Sequence, residues 1–119
     1  MTLLEEVRAG RSPAFLDDVA AREGLSGQVL REELAAGRLV VPASPRHRRQ
    51  KLQPLAIGRA VTTKINANIG ASAVKSSPEE ELGKLKLSVE AGADTVMDLS
   101  PAGDLEEIRE RLIAESPVP

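Results

Sequence analysis

The chain has 119 residues, and its 16 lysines and arginines nearly balance 18 aspartates and glutamates, leaving a formal net charge of −2. That length fits one domain, and the charge balance gives no overall attraction for nucleic acid. There is no cysteine, which excludes disulfides, thiolate nucleophiles and cysteine-held metal clusters from these residues, and no apolar run approaches the roughly 18–20 residues that a membrane span needs. With one phenylalanine, no tryptophan and no tyrosine, the core has to come from Leu, Val, Ile and Ala. Aromatic anchors for a binding hot spot or for stacking bases are missing. The start, Met1-Thr2-Leu3-Leu4-Glu5-Glu6, has early acids and no basic segment, so a secretory signal is not expected and a cytoplasmic location is the default expectation.

Residues 1–41 are expected to form a small helical region of three short helices and a strand. Leu3, Leu4 and Val7 make an apolar stripe that Gly10 stops. Ser12-Pro13 has the pattern of an N-cap followed by proline at the first helical position. The helix it opens carries Leu16, Val19 and Ala20 on one face and ends at Gly24. Ser26 caps the next, with Val29, Leu30 and Leu34 inward and Gly37 as its stop. Leu39-Val40-Val41 is a short strand closed by Pro42.

Residues 42–61 are expected to be a Pro-rich basic connector. Pro42, Pro45 and Pro54 interrupt regular structure. Arg46-His47-Arg48-Arg49-Gln50-Lys51 is a dense basic cluster, expected to be a solvated loop; contact with a phosphate-rich partner or RNA is its weaker alternative. A lone histidine makes no metal site, so His47 is expected to be a solvated loop residue.

Residues 62–119 have the order of an α/β fold. The run Thr62-Thr63-Lys64-Ile65-Asn66-Ala67-Asn68-Ile69-Gly70-Ala71-Ser72 opens as a strand and ends in small and amide residues. Ser77-Pro78-Glu79-Glu80 supplies an N-cap, a proline at the first helical position and a capping-box acid. The helix runs to about Ala91 with Leu82, Leu85 and Val89 on one face, and Gly92 ends it. A second strand, Asp94-Thr95-Val96-Met97-Asp98-Leu99-Ser100, follows. Asp104 caps another helix, with Leu105, Ile108 and Leu112 on one face, and Ser116-Pro117-Val118-Pro119 looks like the opening of a third strand. In such a βαβ unit, ligands bind at the carboxyl ends of the strands. Parallel sheets are normally covered on both faces and a bare edge invites association. The rest of a barrel, or a homo-oligomer, is therefore expected to cover the open side.

The segment Lys64-Ile65-Asn66-Ala67-Asn68-Ile69-Gly70, the run from Glu80-Glu81-Leu82 into Ala91-Gly92-Ala93-Asp94-Thr95-Val96-Met97-Asp98-Leu99-Ser100, and the helix start Gly103-Asp104-Leu105-Glu106-Glu107-Ile108-Arg109 closely resemble the phosphomethylpyrimidine synthase family. These are thiamine-biosynthesis enzymes of the radical S-adenosylmethionine class. The N-terminal helices, Gly37-Arg38-Leu39-Val40-Val41-Pro42-Ala43 and Ile57-Gly58 also fit the family's opening region, so the resemblance covers nearly the whole chain. It implies conversion of aminoimidazole ribotide to hydroxymethylpyrimidine phosphate by a radical rearrangement. It also implies S-adenosylmethionine, an iron–sulfur cluster held by three cysteines of a C-terminal tail, and a divalent metal held by histidines late in a (β/α)8 barrel. The fold it implies here is α/β: a helical N-terminal domain followed by the first two βα units of that barrel, incomplete.

By motif match, Asn68 and Met97 sit where the family contacts substrate. An Asn amide both donates and accepts, and Met gives a soft apolar contact to a flat ring. Neither moves protons, so both are binding residues and no catalytic or metal-ligating residue is assigned. Asn66 points to the same side as Asn68 in a regular strand. Asp98 alternates to the other side, where it is a weaker candidate that holds a loop or cap. The plainer alternatives are turn residues for the two asparagines and core filler for Met97. Lys64, in a strand, needs solvent or a charged partner.

Three departures from the family pattern stand out. No cysteine is present, Thr62 replaces the usual Arg, and Ser100-Pro101-Ala102-Gly103-Asp104 replaces Ser-Thr-Gly-Gly-Asp. Pro101 removes an N–H and Ala102 lacks glycine's freedom at positive φ. The chain is therefore expected to be the N-terminal portion of such a protein, inactive alone, with an imidazole ribotide as its ligand. The alternative is a stand-alone, non-catalytic ligand-binding or assembly module that forms a homo-oligomer.

Overall fold

Thr2 starts the first helix with a reciprocal cap: its hydroxyl accepts from Glu5 N, and its own N–H donates to the Glu5 carboxylate at 2.7 Å. The computed structural model describes residues 1–72 and 77–119. It divides into two compact units, Met1–Pro42 with Pro54–Thr63, and Ala43–Gln53 with Lys64–Pro119.

The first unit holds α1 (Leu3–Arg8), α2 (Phe15–Arg22) and α3 (Gly27–Ala35). Val7, Leu16, Val19, Ala20, Leu30 and Leu34 are buried, which is the stripe set by the 3.6-residue period. Two expectations change. Ser12 does not cap α2: the N-cap is Ala14, without a side-chain bond. The entry is a tight turn in which Leu16 N and Asp17 N donate three residues back, to Pro13 O and Ala14 O, at 3.0 Å each. Ser12 Oγ instead accepts from Arg31 Nη1 at 3.2 Å. Val29 is 40% exposed, because one residue of helix rotates a side chain about 100° from its neighbour, and Leu30 takes the inward direction.

β1 (Leu39–Val40) pairs antiparallel with β2 (Ile57–Gly58), Leu39 opposite Gly58. The approach is close. A Cβ on Gly58 would lie 2.7 Å from Arg38 O and 2.9 Å from Leu39 Cα, so no larger residue fits without moving backbone. This pairing places a strand inside the stretch expected to be connector.

In the second unit, Ser44 caps the short helix α4 (Pro45–Arg48) by accepting from His47 N at 3.2 Å, with Pro45 in its first turn. The residues expected as a solvated basic loop thus begin as a helical turn. β3 (Asn66–Ile69), α5 (Pro78–Glu90), β4 (Thr95–Asp98) and α6 (Leu105–Glu115) follow. The Ser77–Glu80 capping box opens α5, and Asp104 caps α6 by accepting from Glu107 N. Gly92, at φ 96°, turns the chain from α5 into β4, a conformation that glycine adopts without the Cβ penalty.

β3 and β4 are parallel, in the register Asn66–Thr95, Ala67–Val96, Asn68–Met97 and Ile69–Asp98. One face of the pair is covered: Ile69, Ala71, Leu85, Ile108 and Leu112 form the core, with Leu82, Val89 and Val96 packed against it. The architecture is mixed α/β, with helices and short strands. No strand forms at 116–119, although Val96 N donates to Pro119 O at 2.9 Å and Gln53 N to Pro117 O at 2.9 Å. Pro117 and Pro119 have no N–H to return, so a full ladder cannot form there. Among the described residues every positive φ belongs to glycine. Ala102 is therefore not asked for the left-handed conformation, and Gly103, at φ 94°, makes that turn. No described helix is long and apolar enough to cross a membrane.

Candidate binding face at the strand ends

Side chains alternate across a strand, and residues paired in a parallel ladder share a face. The register therefore separates Asn66, Asn68, Thr95 and Met97 from Ala67, Ile69, Val96 and Asp98. The second set turns toward the helices. In the first set both asparagines are exposed and Met97 is 51% exposed.

The polar members of this open face are bonded to each other. Thr95 Oγ1 donates to Asn66 Oδ1 at 2.8 Å, and Asn66 Nδ2 donates to Asn68 Oδ1 at 2.8 Å. Met97 lies beside Asn68 as its register partner. The structure thus brings Asn66, Asn68 and Met97 together, and adds Thr95, which the sequence reading did not single out. Its signal was available: Thr95 precedes Met97 by two residues, the spacing that defines one strand face.

Asp98 is on the other side and is tied into the loop after β4. Its Oδ1 accepts from Ser100 N at 3.0 Å and from Ser100 Oγ at 2.5 Å. Its Oδ2 is buried without a hydrogen bond among the described residues, with Arg109 Nε at 3.7 Å. Ser100 Oγ also accepts from Ala71 N at 2.8 Å, so one hydroxyl links the ends of both strands. The chains are close here: a Cβ on Gly70 would meet Leu99 C at 3.0 Å and Ser100 N at 3.1 Å. Lys84 Nζ closes the same end, donating to Gly70 O at 3.0 Å and to the buried Glu81 at 2.5 Å. Lys64 stands just before β3 and is half-buried.

A cleft of about 220 Å³ opens on the helix side, with His47, Val96, Asp98, Arg109 and Ser116 among its lining residues. That is below the roughly 300–1,000 Å³ usual for small-molecule sites. His47 is half-buried and held rather than solvated, its Nε2 lying 2.9 Å from Ser116 O. Its neighbours pair with α6: Arg46 with Glu110 at 2.7 Å and Lys51 with Glu115 at 2.5 Å. Lys51 holds the Glu115 carboxyl below its ordinary range.

No group of three or more His, Cys, Asp or Glu among the described residues is placed to hold a metal ion. With no cysteine in the sequence, the donor set does not fit a cysteine-held iron–sulfur cluster, and no chemical step through one follows from these residues.

A parallel βαβ unit with amide and thioether groups at its strand ends defines a class that comparison with known proteins sharpens. Residues 2–119 match the model of the Radical SAM ThiC family, and the chain belongs to that family. It is 46% identical over 117 residues to the phosphomethylpyrimidine synthase of Moorella thermoacetica (strain ATCC 39073 / JCM 9320), an alignment that covers 98% of this chain and 27% of that protein. The chain thus spans 27% of the length of this curated relative.

Proposed function

We propose that this chain is the substrate-facing N-terminal portion of a phosphomethylpyrimidine-synthase-like protein, one that converts aminoimidazole ribotide to hydroxymethylpyrimidine phosphate in thiamine biosynthesis. β3–α5 and β4–α6 are its first two βα barrel units. The observation that carries this is the parallel register setting Asn68 beside Met97 near the carboxyl ends of two strands, on the face left open. That is where barrel enzymes bind ligands. Asn68 supplies a directional polar contact and Met97 a soft surface for a flat ring. Asn66 supports Asn68, and Asp98 braces the loop behind them. The radical chemistry and its cofactors belong to residues beyond these, so this chain by itself makes no pyrimidine.

The test is to read the gene downstream of the Pro119 codon and to assay both products. A frame that continues through further βα units to a cysteine-rich tail is expected. The long product should then turn over ribotide with reduced cluster and S-adenosylmethionine, and the 119-residue chain should not. A stop codon at that point overturns this assignment in favour of a homo-oligomeric binding or assembly module, and product formed by the short chain overturns the claim of inactivity.

A further inference from the structure

We propose that Thr95 and Asn66 are positioning residues that fix the Asn68 amide with its NH2 outward, so that this face offers its ligand a hydrogen-bond donor and the ligand atom that meets it is a bare acceptor, such as an unprotonated ring nitrogen. The proposal rests on the reading of Asn68 as a ribotide contact and adds the polarity of that contact.

Thr95 anchors the relay. A β-branched side chain on a strand is stiff at χ1, so its hydroxyl is a fixed point on the face. It stands in register with Asn66 and donates to Asn66 Oδ1 at 2.8 Å. An amide has one oxygen and one NH2 group. With the oxygen of Asn66 toward Thr95, its NH2 is directed along the strand, and it donates to Asn68 Oδ1 at 2.8 Å. Both bonds run in one sense, from Thr95 through Asn66 to Asn68. Reversing Asn68 alone would set two NH2 groups against each other at hydrogen-bond distance. Reversing the whole chain would turn the Thr95 hydroxyl from donor to acceptor of the Asn66 NH2 and send its own proton to solvent.

The result is an Asn68 whose oxygen is engaged and whose nitrogen is left to the ligand, next to the Met97 thioether. A flat heterocycle lying over Met97 with a lone pair toward Asn68 satisfies both groups. A ring N–H at the same place would meet a second donor and be rejected, since an unpaired buried donor is strongly unfavourable.

The experiment follows the side-chain amide signals of Asn66 and Asn68 by NMR in this chain, with and without aminoimidazole ribotide at up to millimolar concentration. Without ligand, both amides should be ordered; Thr95→Val should loosen both, and Thr95→Ser should restore them. With ribotide, the Asn68 NH2 protons should move downfield. Thr95→Val should raise the ribotide concentration for half-saturation roughly threefold to tenfold, and Asn68→Asp, which keeps an acceptor and loses the donor, should abolish the response. Amides equally ordered in wild type and Thr95→Val would overturn the relay, whatever ribotide does. Ribotide response retained in Asn68→Asp would overturn the donor polarity. Ordered amides that ribotide does not shift would leave the relay standing and overturn Asn68 as the ribotide contact.

Discussion

Ser100 carries more of the strand-end geometry than its size implies. Its hydroxyl donates to Asp98 and accepts from Ala71 N, and both Ser100 and Ala71 are buried, at 6% and 2% exposure. Ser100→Ala leaves the buried Ala71 N–H without that partner. A buried donor left unpaired costs about 1–3 kcal/mol, so urea unfolding of Ser100→Ala should show a loss in that range with an unchanged slope. A loss below about 0.5 kcal/mol would mean that the loop relaxes and Ala71 finds another acceptor. Asp98 remains bonded to the Ser100 backbone in the variant, so the loop keeps one of its ties. At this scale the face was legible in part. Strand alternation alone separates Asn66, Asn68 and Met97 from Asp98. The bonds among Thr95, Asn66 and Asn68 were not legible, because they depend on cross-strand register, which one strand's sequence does not fix.

The helices were the most legible elements, because caps are local chemistry. The Ser77–Glu80 box, the Ser26 and Asp104 caps and the glycine stops all act within one turn. Ser12 departs from this because Arg31, 19 positions away, takes its hydroxyl. β1 was legible as the apolar run Leu39-Val40-Val41 before Pro42, but its partner β2 escaped because a two-residue strand has no alternation to detect, and α4 because a single turn carries no periodicity. Contact between elements is likewise invisible in local pattern. α5 and α6 are joined by Arg111, which lies 2.6 Å from Glu79 and 3.4 Å from Glu107. The bond from Arg111 holds the Glu79 carboxyl below its ordinary value of 4.5. A carboxyl whose folded pKa is depressed contributes stability that is complete above its unfolded pKa and lost as pH falls through the folded one. Glu79→Gln should therefore lower the melting temperature slightly at pH 7, as exposed pairs do. That difference should shrink as pH drops below 4.5 and vanish once Glu79 is protonated in both states. A difference that stays constant down to pH 2 would show that Glu79 acts through something other than its charge.

At the scale of the whole molecule, the covered and open faces of the β3–β4 pair are unequal. Five buried residues and three flanking ones pack one side, while Met97 and Leu99 remain 51% and 55% exposed. Two parallel strands with one bare face are marginal in water, since such sheets are usually covered on both sides. In the proposed full-length protein, further barrel strands enclose this face. Among the described residues of the second unit none covers it, and we propose that at high concentration a second copy does. Sedimentation should show an apparent mass at 12.7 kDa when dilute and a rise with concentration. Leu99→Lys places a charge on the open face without touching the core, so it should move that rise to severalfold higher concentration while leaving the melting temperature of the dilute chain unchanged. A mass fixed at the monomer value across the whole range would mean that the open face is stable in water. The face would then need neither a second copy nor a further strand for its stability.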